Sequence, residues 1–120
     1  KPLSVLLAED DATLSELLCL HFASERWETF AVDRGDRVVA EVERRRPDIA
    51  VLDIGLPVMD GLELARRLRA AHGPSAPRLI AMSGFGQEGD REKSLAAGFD
   101  AHLVKPVVGD QLVAAIVAAL

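Results

Sequence analysis

The sequence predicts a single α/β domain, in which a doubly wound, five-stranded parallel sheet is covered on both faces by five helices. First, short apolar runs at 5–8, 49–52 and 79–82 have the continuity of strands buried on both faces. Second, helical patterns separate these runs, which is typical of parallel strands joined by right-handed crossovers. Third, a length of 120 residues suits one domain, residues 1–120.

The predicted strands are short, and most of them are apolar throughout. They are expected at 3–9, 27–32, 49–53, 78–82 and 101–104. The second strand is more polar than the others, and we therefore expect it at an edge of the sheet.

The predicted helices follow apolar residues at helical spacing, between turn-forming residues. They are expected at 12–24, 34–46, 61–71, 90–97 and 110–120. The first helix begins either at Asp11 or with a capping box formed by Thr13 and Glu16, and Gly98 caps the fourth. The glycine-containing segment 83–89 is predicted to be the most mobile loop.

Composition argues against a disulfide-stabilised, a nucleic-acid-binding and a membrane-inserted domain. Hydrophobic residues make up 49% of the chain, which is enough for a core without disulfides, and the formal net charge of -5 argues against a direct nucleic-acid partner. No apolar run is long enough to insert this domain into a membrane. The single cysteine is compatible with a reducing compartment such as the cytoplasm. The first residue is Lys, from which we expect a chain that was processed or cut from a longer protein.

Four predicted strands end in polar residues of different kinds. Glu9 and Asp10 follow the first strand, Asp53 ends the third, Ser83 follows the fourth and Lys105 follows the fifth. Because ligands of open parallel sheets bind at the carboxyl ends of the strands, these side chains are expected to meet there. Carboxylates, a hydroxyl and an ammonium together suit a divalent metal and a phosphoryl group.

The three carboxylates would repel one another without a cation, and hard oxygen ligands favour Mg²⁺ or Mn²⁺. Helix capping is an alternative explanation for Asp10. Ser83 and Lys105 could both bind a phosphoryl group attached to Asp53. The alternatives are a helix N-cap for Ser83 and a structural salt bridge for Lys105.

The motifs at 6–11, 51–61, 82–84 and 103–106, in this order and spacing, resemble the receiver domains of two-component response regulators. The Asp-x-x-x-Pro-x-x-x-Gly loop at 53–61, combined with Lys105-Pro106, is the most specific part. The run 98–107 looks most like receivers of hybrid histidine kinases. The resemblance implies a flavodoxin-like sheet of order 2-1-3-4-5 and a Lys105–Pro106 bond that is often cis.

The resemblance also implies a role for each residue of the site. Asp53 is the phosphoacceptor, and Asp10, with Glu9 beside it, is a direct Mg²⁺ ligand. The backbone carbonyl of Gly55 is a further ligand. Ser83 is the switch hydroxyl, and Lys105 contacts the phosphoryl group.

By the same resemblance, a histidine kinase or phosphotransfer domain donates the phosphoryl group, and a downstream protein or a second copy receives the signal. The domain catalyses its own phosphorylation and slow dephosphorylation, as a switch and not a conventional enzyme. Gly55 and Phe85 stand where the family tunes access of water, and neither is polar. We therefore expect a long-lived phosphoryl state.

His102 departs from the family, which commonly has Tyr or Phe at this switch position. We expect either a partly exposed packing residue or a source of pH sensitivity. The sequence leaves two alternative functions to consider. A Mg²⁺-dependent phosphohydrolase would need a second carboxylate at Gly55, which argues against that class. A pseudo-receiver would act as an interaction domain that never takes phosphate.

Overall fold

Five parallel strands form one sheet with the third strand at its centre. The computed structural model describes residues 2–84 and 90–120. Its strands are β1 (Ser4–Ala8), β2 (Glu28–Val32), β3 (Ile49–Asp53), β4 (Arg78–Ser83) and β5 (Ala101–Val104). They lie in the order β2-β1-β3-β4-β5, and every neighbouring pair is parallel. The predicted fold class and strand order are confirmed, and β2 lies at an edge.

Helices cover both faces of this sheet. They are α1 (Ala12–Ser24), α2 (Val38–Arg45), α3 (Gly61–His72), α4 (Asp90–Ala97) and α5 (Gly109–Ala119). Apolar residues of α1 and α5 pack on one face, and those of α2, α3 and α4 pack on the other. Within the described ranges, no helix is both long enough and apolar enough to cross a membrane.

The apolar runs are buried because their alternate side chains enter two different cores. Leu52 packs with the residues of α2, α3 and α4, whereas Val51 packs with those of α1 and α5. All five residues of β1 and of β3 are buried. Such strands read as continuous apolar runs without alternation, which is why the sequence pattern located them.

The second helix differs most from its predicted range of 34–46. A 3-10 turn at Gly35–Arg37 precedes α2, which begins only at Val38. Gly35 donates its N–H to the Pro57 carbonyl, and any side chain there would collide with the carbonyl of Met59. The turn that precedes the helix therefore packs closely against a loop distant in the sequence. Arg46 ends α2 in the left-handed conformation, with φ of 47°.

Other boundaries differ by one or two residues. The Asp11 side chain caps α1 by accepting hydrogen bonds from the N–H groups of Thr13 and Leu14, so the alternative start at Thr13 is wrong. Gly98, with φ of 112°, follows α4 as predicted. Strand β4 extends to Ser83, which is paired with Val104 on β5. The rest of the predicted mobile loop, including Phe85, lies outside the described residues apart from Gly84.

Candidate functional site

Asp53 is the last residue of the central strand and is held by both of its carboxylate oxygens. The Gly55 N–H donates a hydrogen bond to Oδ1 at 2.9 Å, and Lys105 Nζ donates one to Oδ2 at 2.9 Å. Only 6% of the residue is exposed. The following loop returns so closely that a Cβ at Gly61 would lie 2.9 Å from the Asp53 carbonyl oxygen. A glycine at this position therefore allows α3 to start directly against the site.

Lys105 connects the carboxylates of two neighbouring strands. Its Nζ lies 2.7 Å from Glu9 Oε1 and 2.9 Å from Asp53 Oδ2. Its backbone N–H donates to the Ser83 carbonyl at 2.7 Å, and the Lys105–Pro106 peptide bond is cis, as the resemblance implied. Burial alone would lower the pKa of Lys105, but the hydrogen bonds to Glu9 and Asp53 outweigh it and raise that pKa.

Glu9 lies directly after β1 and is almost completely buried, with 1% of the residue exposed. Its Oε2 accepts the backbone N–H of Asp11 at 3.0 Å. Burial raises the pKa of Glu9, and the charge on Asp53 raises it further. Hydrogen bonds from Lys105 and Asp11 oppose this rise without cancelling it. The site therefore holds Glu9 in a place where its negative charge is unfavourable unless cations are near.

Glu9, Asp10 and Asp53 together fit a small divalent cation. Each offers one carboxylate oxygen, and these three oxygens lie within 4.8 Å of one another. Asp10 is exposed, and Glu9 and Asp10 line a cavity of about 410 Å³ between the start of α1 and the end of β2. Three hard oxygen donors suit Mg²⁺ or Mn²⁺ better than zinc. The predicted role of the Gly55 carbonyl stays a prediction.

Ser83 lies one residue beyond the Asp53–Met82 pair of the sheet and is 1% exposed. Its Oγ lies 2.7 Å from His102 Nε2. The helix N-cap alternative for Ser83 is wrong, because Ser83 ends a strand and α4 begins at Asp90. The structure thus brings Glu9, Asp53 and Lys105 into direct contact and places Ser83 on the adjacent strand, against His102.

Ser94 is a site residue that the sequence reasoning missed. It lies on α4, is fully buried, and its Oγ is 2.8 Å from His102 Nδ1. The sequence signal was His102 itself, because the ring of this half-buried residue carries two nitrogens that each need a polar partner. Nothing in the spacing of Ser94 identified it as that partner, since the contact depends on how α4 packs against β5.

A family model and several known proteins match this chain over most of its length. The family model for the response regulator receiver domain matches residues 5–117. The chain is 34% identical over 116 residues to the phosphate regulon transcriptional regulatory protein PhoB of Rhizobium meliloti, covering 97% of this chain and 51% of that protein. It is 33% identical over 116 residues to the DNA-binding response regulator MtrA of Mycobacterium tuberculosis, covering 97% and 50%. The chain thus spans about half the length of these curated relatives.

Solved structures show the same fold. The chemotaxis response regulator CheY4 of Vibrio cholerae superimposes with a TM-score of 0.91 at 19% identity, over 100% of both chains. The BeF3-activated N-terminal receiver domain of Klebsiella pneumoniae RstA gives a TM-score of 0.88 at 24% identity, over 97% of both chains. With a matching family model over nearly the whole chain and the acidic site at the carboxyl end of β3, this chain belongs to the response regulator receiver domain family.

Proposed function

We propose that Asp53 accepts a phosphoryl group from the phosphohistidine of a histidine kinase or phosphotransfer domain. The observation that carries this proposal is the Lys105 ammonium between Asp53 and Glu9, 2.9 Å and 2.7 Å from their carboxylate oxygens. An ammonium in that position can stay with Asp53 after the reaction and bind an oxygen of the transferred group. Receiver domains act in two-component signalling together with histidine kinases, which supports the same donor here.

In the proposed transfer, a carboxylate oxygen of Asp53 attacks phosphorus. The new P–O bond forms while the P–N bond to the donor imidazole breaks, and the imidazole nitrogen keeps the bonding electron pair. Asp53 is suited to this role because two hydrogen bonds fix its orientation before the reaction. Lys105 then offsets part of the negative charge on the phosphoryl oxygens, and Ser83 donates a hydrogen bond to one of them.

Glu9, Asp10, Asp53 and the Gly55 carbonyl would hold Mg²⁺, with Mn²⁺ as an alternative. A bound ion of this kind neutralises charge on phosphoryl oxygens during transfer. The close approach of the three carboxylate oxygens supports this assignment.

Phosphorylation would switch the conformation of the domain, and the domain would not turn over substrate as a conventional enzyme does. A phosphoryl group adds negative charge and three acceptors beside β4, which favours a new arrangement of Ser83, His102 and α4. The surface formed by α4 and the neighbouring strand β5 would then bind a downstream protein or a second copy of the chain. We expect slow self-dephosphorylation, since Gly55 offers no side chain to position water, and we expect the domain to work in the cytoplasm.

Intact mass after incubation with acetyl phosphate and Mg²⁺ tests the proposal. We expect one phosphoryl adduct on the wild type and none on Asp53→Asn. Asp110→Asn is a matched control at a side chain that is 91% exposed, and it should behave like the wild type. If neither acetyl phosphate nor a phosphorylated histidine kinase labels the folded wild type, the proposal is wrong. The pseudo-receiver, an interaction domain independent of phosphorylation, then becomes the better explanation.

A further inference from the structure

The His102 imidazole bridges two buried hydroxyl groups that belong to different elements. Its Nε2 lies 2.7 Å from Ser83 Oγ on β4, and its Nδ1 lies 2.8 Å from Ser94 Oγ on α4. Ser83 is 1% exposed and Ser94 is fully buried. A hydrogen-bonded path therefore runs from the end of β4, beside the phosphoacceptor strand, through β5 to α4.

The number of protons fixes the direction of these hydrogen bonds. Ser94 has one hydroxyl proton, and it donates this proton to the Arg91 carbonyl at 2.9 Å. The bond between Ser94 and His102 must then be donated by the imidazole, from Nδ1–H. In a neutral imidazole the other nitrogen is an acceptor, so Nε2 accepts the hydroxyl proton of Ser83. Ser94 thereby fixes the tautomer of His102.

This arrangement commits the only hydroxyl proton of Ser83 to His102. Phosphoryl oxygens are acceptors, so Ser83 must offer them the same proton. We propose that His102 competes with the phosphoryl group for Ser83, and that Ser94 maintains this competition by holding the imidazole in its accepting tautomer. The inference rests on the proposed function of Asp53, and it assigns His102 and Ser94 as positioning residues that restrain the switch.

The competition has a measurable cost for the phosphorylated state. A Tyr or Phe ring, common at this position in the family, has no acceptor nitrogen to hold the Ser83 proton. In this chain, a hydrogen bond between the buried Ser83 and the half-buried His102 must be exchanged before Ser83 can bind the phosphoryl group. Because one such hydrogen bond contributes only modestly to net free energy, losing it should weaken binding of a phosphoryl analogue by about two- to tenfold.

Calorimetric titration with beryllofluoride and Mg²⁺, a phosphoryl analogue, tests the inference. We expect His102→Phe and Ser94→Ala to bind beryllofluoride about two- to tenfold more tightly than the wild type. Ser24→Ala is the matched control, because Ser24 also donates to a carbonyl three residues before it but lies exposed at the end of α1. It should leave the affinity unchanged. In a Ser83→Ala background, the gain from His102→Phe should disappear.

A spectroscopic measurement separates positioning from general packing. The ¹⁵N shifts of His102 should show a protonated Nδ1 and an unprotonated Nε2 in the wild type, and a changed tautomer in Ser94→Ala. Unchanged or weaker affinity in His102→Phe and Ser94→Ala, or a gain that persists without the Ser83 hydroxyl, overturns the inference. If the wild type itself binds no beryllofluoride, the proposed function of Asp53 fails first, and the inference fails with it.

Discussion

Replacing Lys105 by methionine tests whether one ammonium holds the acidic site together when no metal is present. Methionine keeps most of the side-chain volume and removes only the charge. The variant leaves Glu9 and Asp53 adjacent to each other without the cation that lies 2.7 Å and 2.9 Å from their oxygens. Glu9 is 1% exposed, so water cannot replace the lost partner.

The expected loss of stability follows from burial. Removing one partner of a fully buried ion pair costs about 3–5 kcal/mol. The Lys105 side chain is 25% exposed, so we expect a smaller loss of unfolding free energy, about 2–4 kcal/mol. In urea this lowers the midpoint of unfolding by about 1–2 M for a domain of this size.

Urea unfolding with EDTA and with excess Mg²⁺ provides the assay, and Lys93→Met is the control for an exposed lysine on α4. Because Mg²⁺ can replace the missing ammonium between the carboxylates, it should stabilise Lys105→Met more than it stabilises the wild type. Two results would refute the reasoning. One is a variant as stable as the wild type in EDTA, and the other is a stability difference that Mg²⁺ does not narrow.

The pKa of Lys105 gives the same prediction a pH dependence. The folded-state pKa is raised above the ordinary value of 10.5. The stabilisation from its ion pairs is therefore fully present below that value and is lost as the pH rises through the higher folded-state pKa. The stability difference between the wild type and Lys105→Met should be constant near neutrality and should shrink only in strongly alkaline solution.

Four further substitutions test individual parts of the site and its support, each by urea unfolding. Glu9→Gln should stabilise the Mg²⁺-free protein, because burial raises the pKa of Glu9. This gain in unfolding free energy should begin at the ordinary glutamate pKa of 4.5 and should grow as the pH rises through the higher folded-state pKa of Glu9. Glu41→Gln should instead be slightly destabilising, because the hydrogen bond from Arg45 lowers the pKa of Glu41. Gly61→Ala should cost about 1–3 kcal/mol, since its Cβ would lie 2.9 Å from backbone atoms of Asp53 and Ile54. Arg69→Met should cost about 1–3 kcal/mol, since Arg69 donates hydrogen bonds to the turn after α4.

The sequence predicts the central strands well because burial on both faces leaves a distinctive pattern. A run such as 49–52 has no polar residue, so it fits neither an exposed helix nor an edge strand. The start of α2 could not be predicted in the same way. Local sequence allows a helix from Arg34, but a 3-10 turn comes first, and its first residue, Gly35, lies directly against Met59. That contact joins residues far apart in the chain and leaves no local signal.

The same distinction applies to the site. Glu9, Asp53 and Lys105 were predictable, because each follows a buried strand, and parallel strands bring such residues to one edge. Their contacts in the structure confirm that they meet there. Ser94 was not predictable, because its partnership with His102 depends on the rotation and position of α4. A serine within a helix ordinarily donates its hydroxyl proton to a carbonyl of the same helix, so its presence does not predict a contact with another element.

Ser83 makes hydrogen bonds both to Lys105 of the acidic site and to His102, which contacts α4. Its backbone carbonyl accepts the N–H of Lys105 at 2.7 Å, and its hydroxyl bonds to His102 at 2.7 Å. The β4–β5 pairing therefore fixes the position of Ser83, while the hydroxyl can still rotate about its Cα–Cβ bond. A rearrangement that needs only this rotation changes the hydrogen bonding of His102 without breaking the sheet. In the proposed switch, phosphorylation of Asp53 would in this way reach α4 at the cost of one exchanged hydrogen bond.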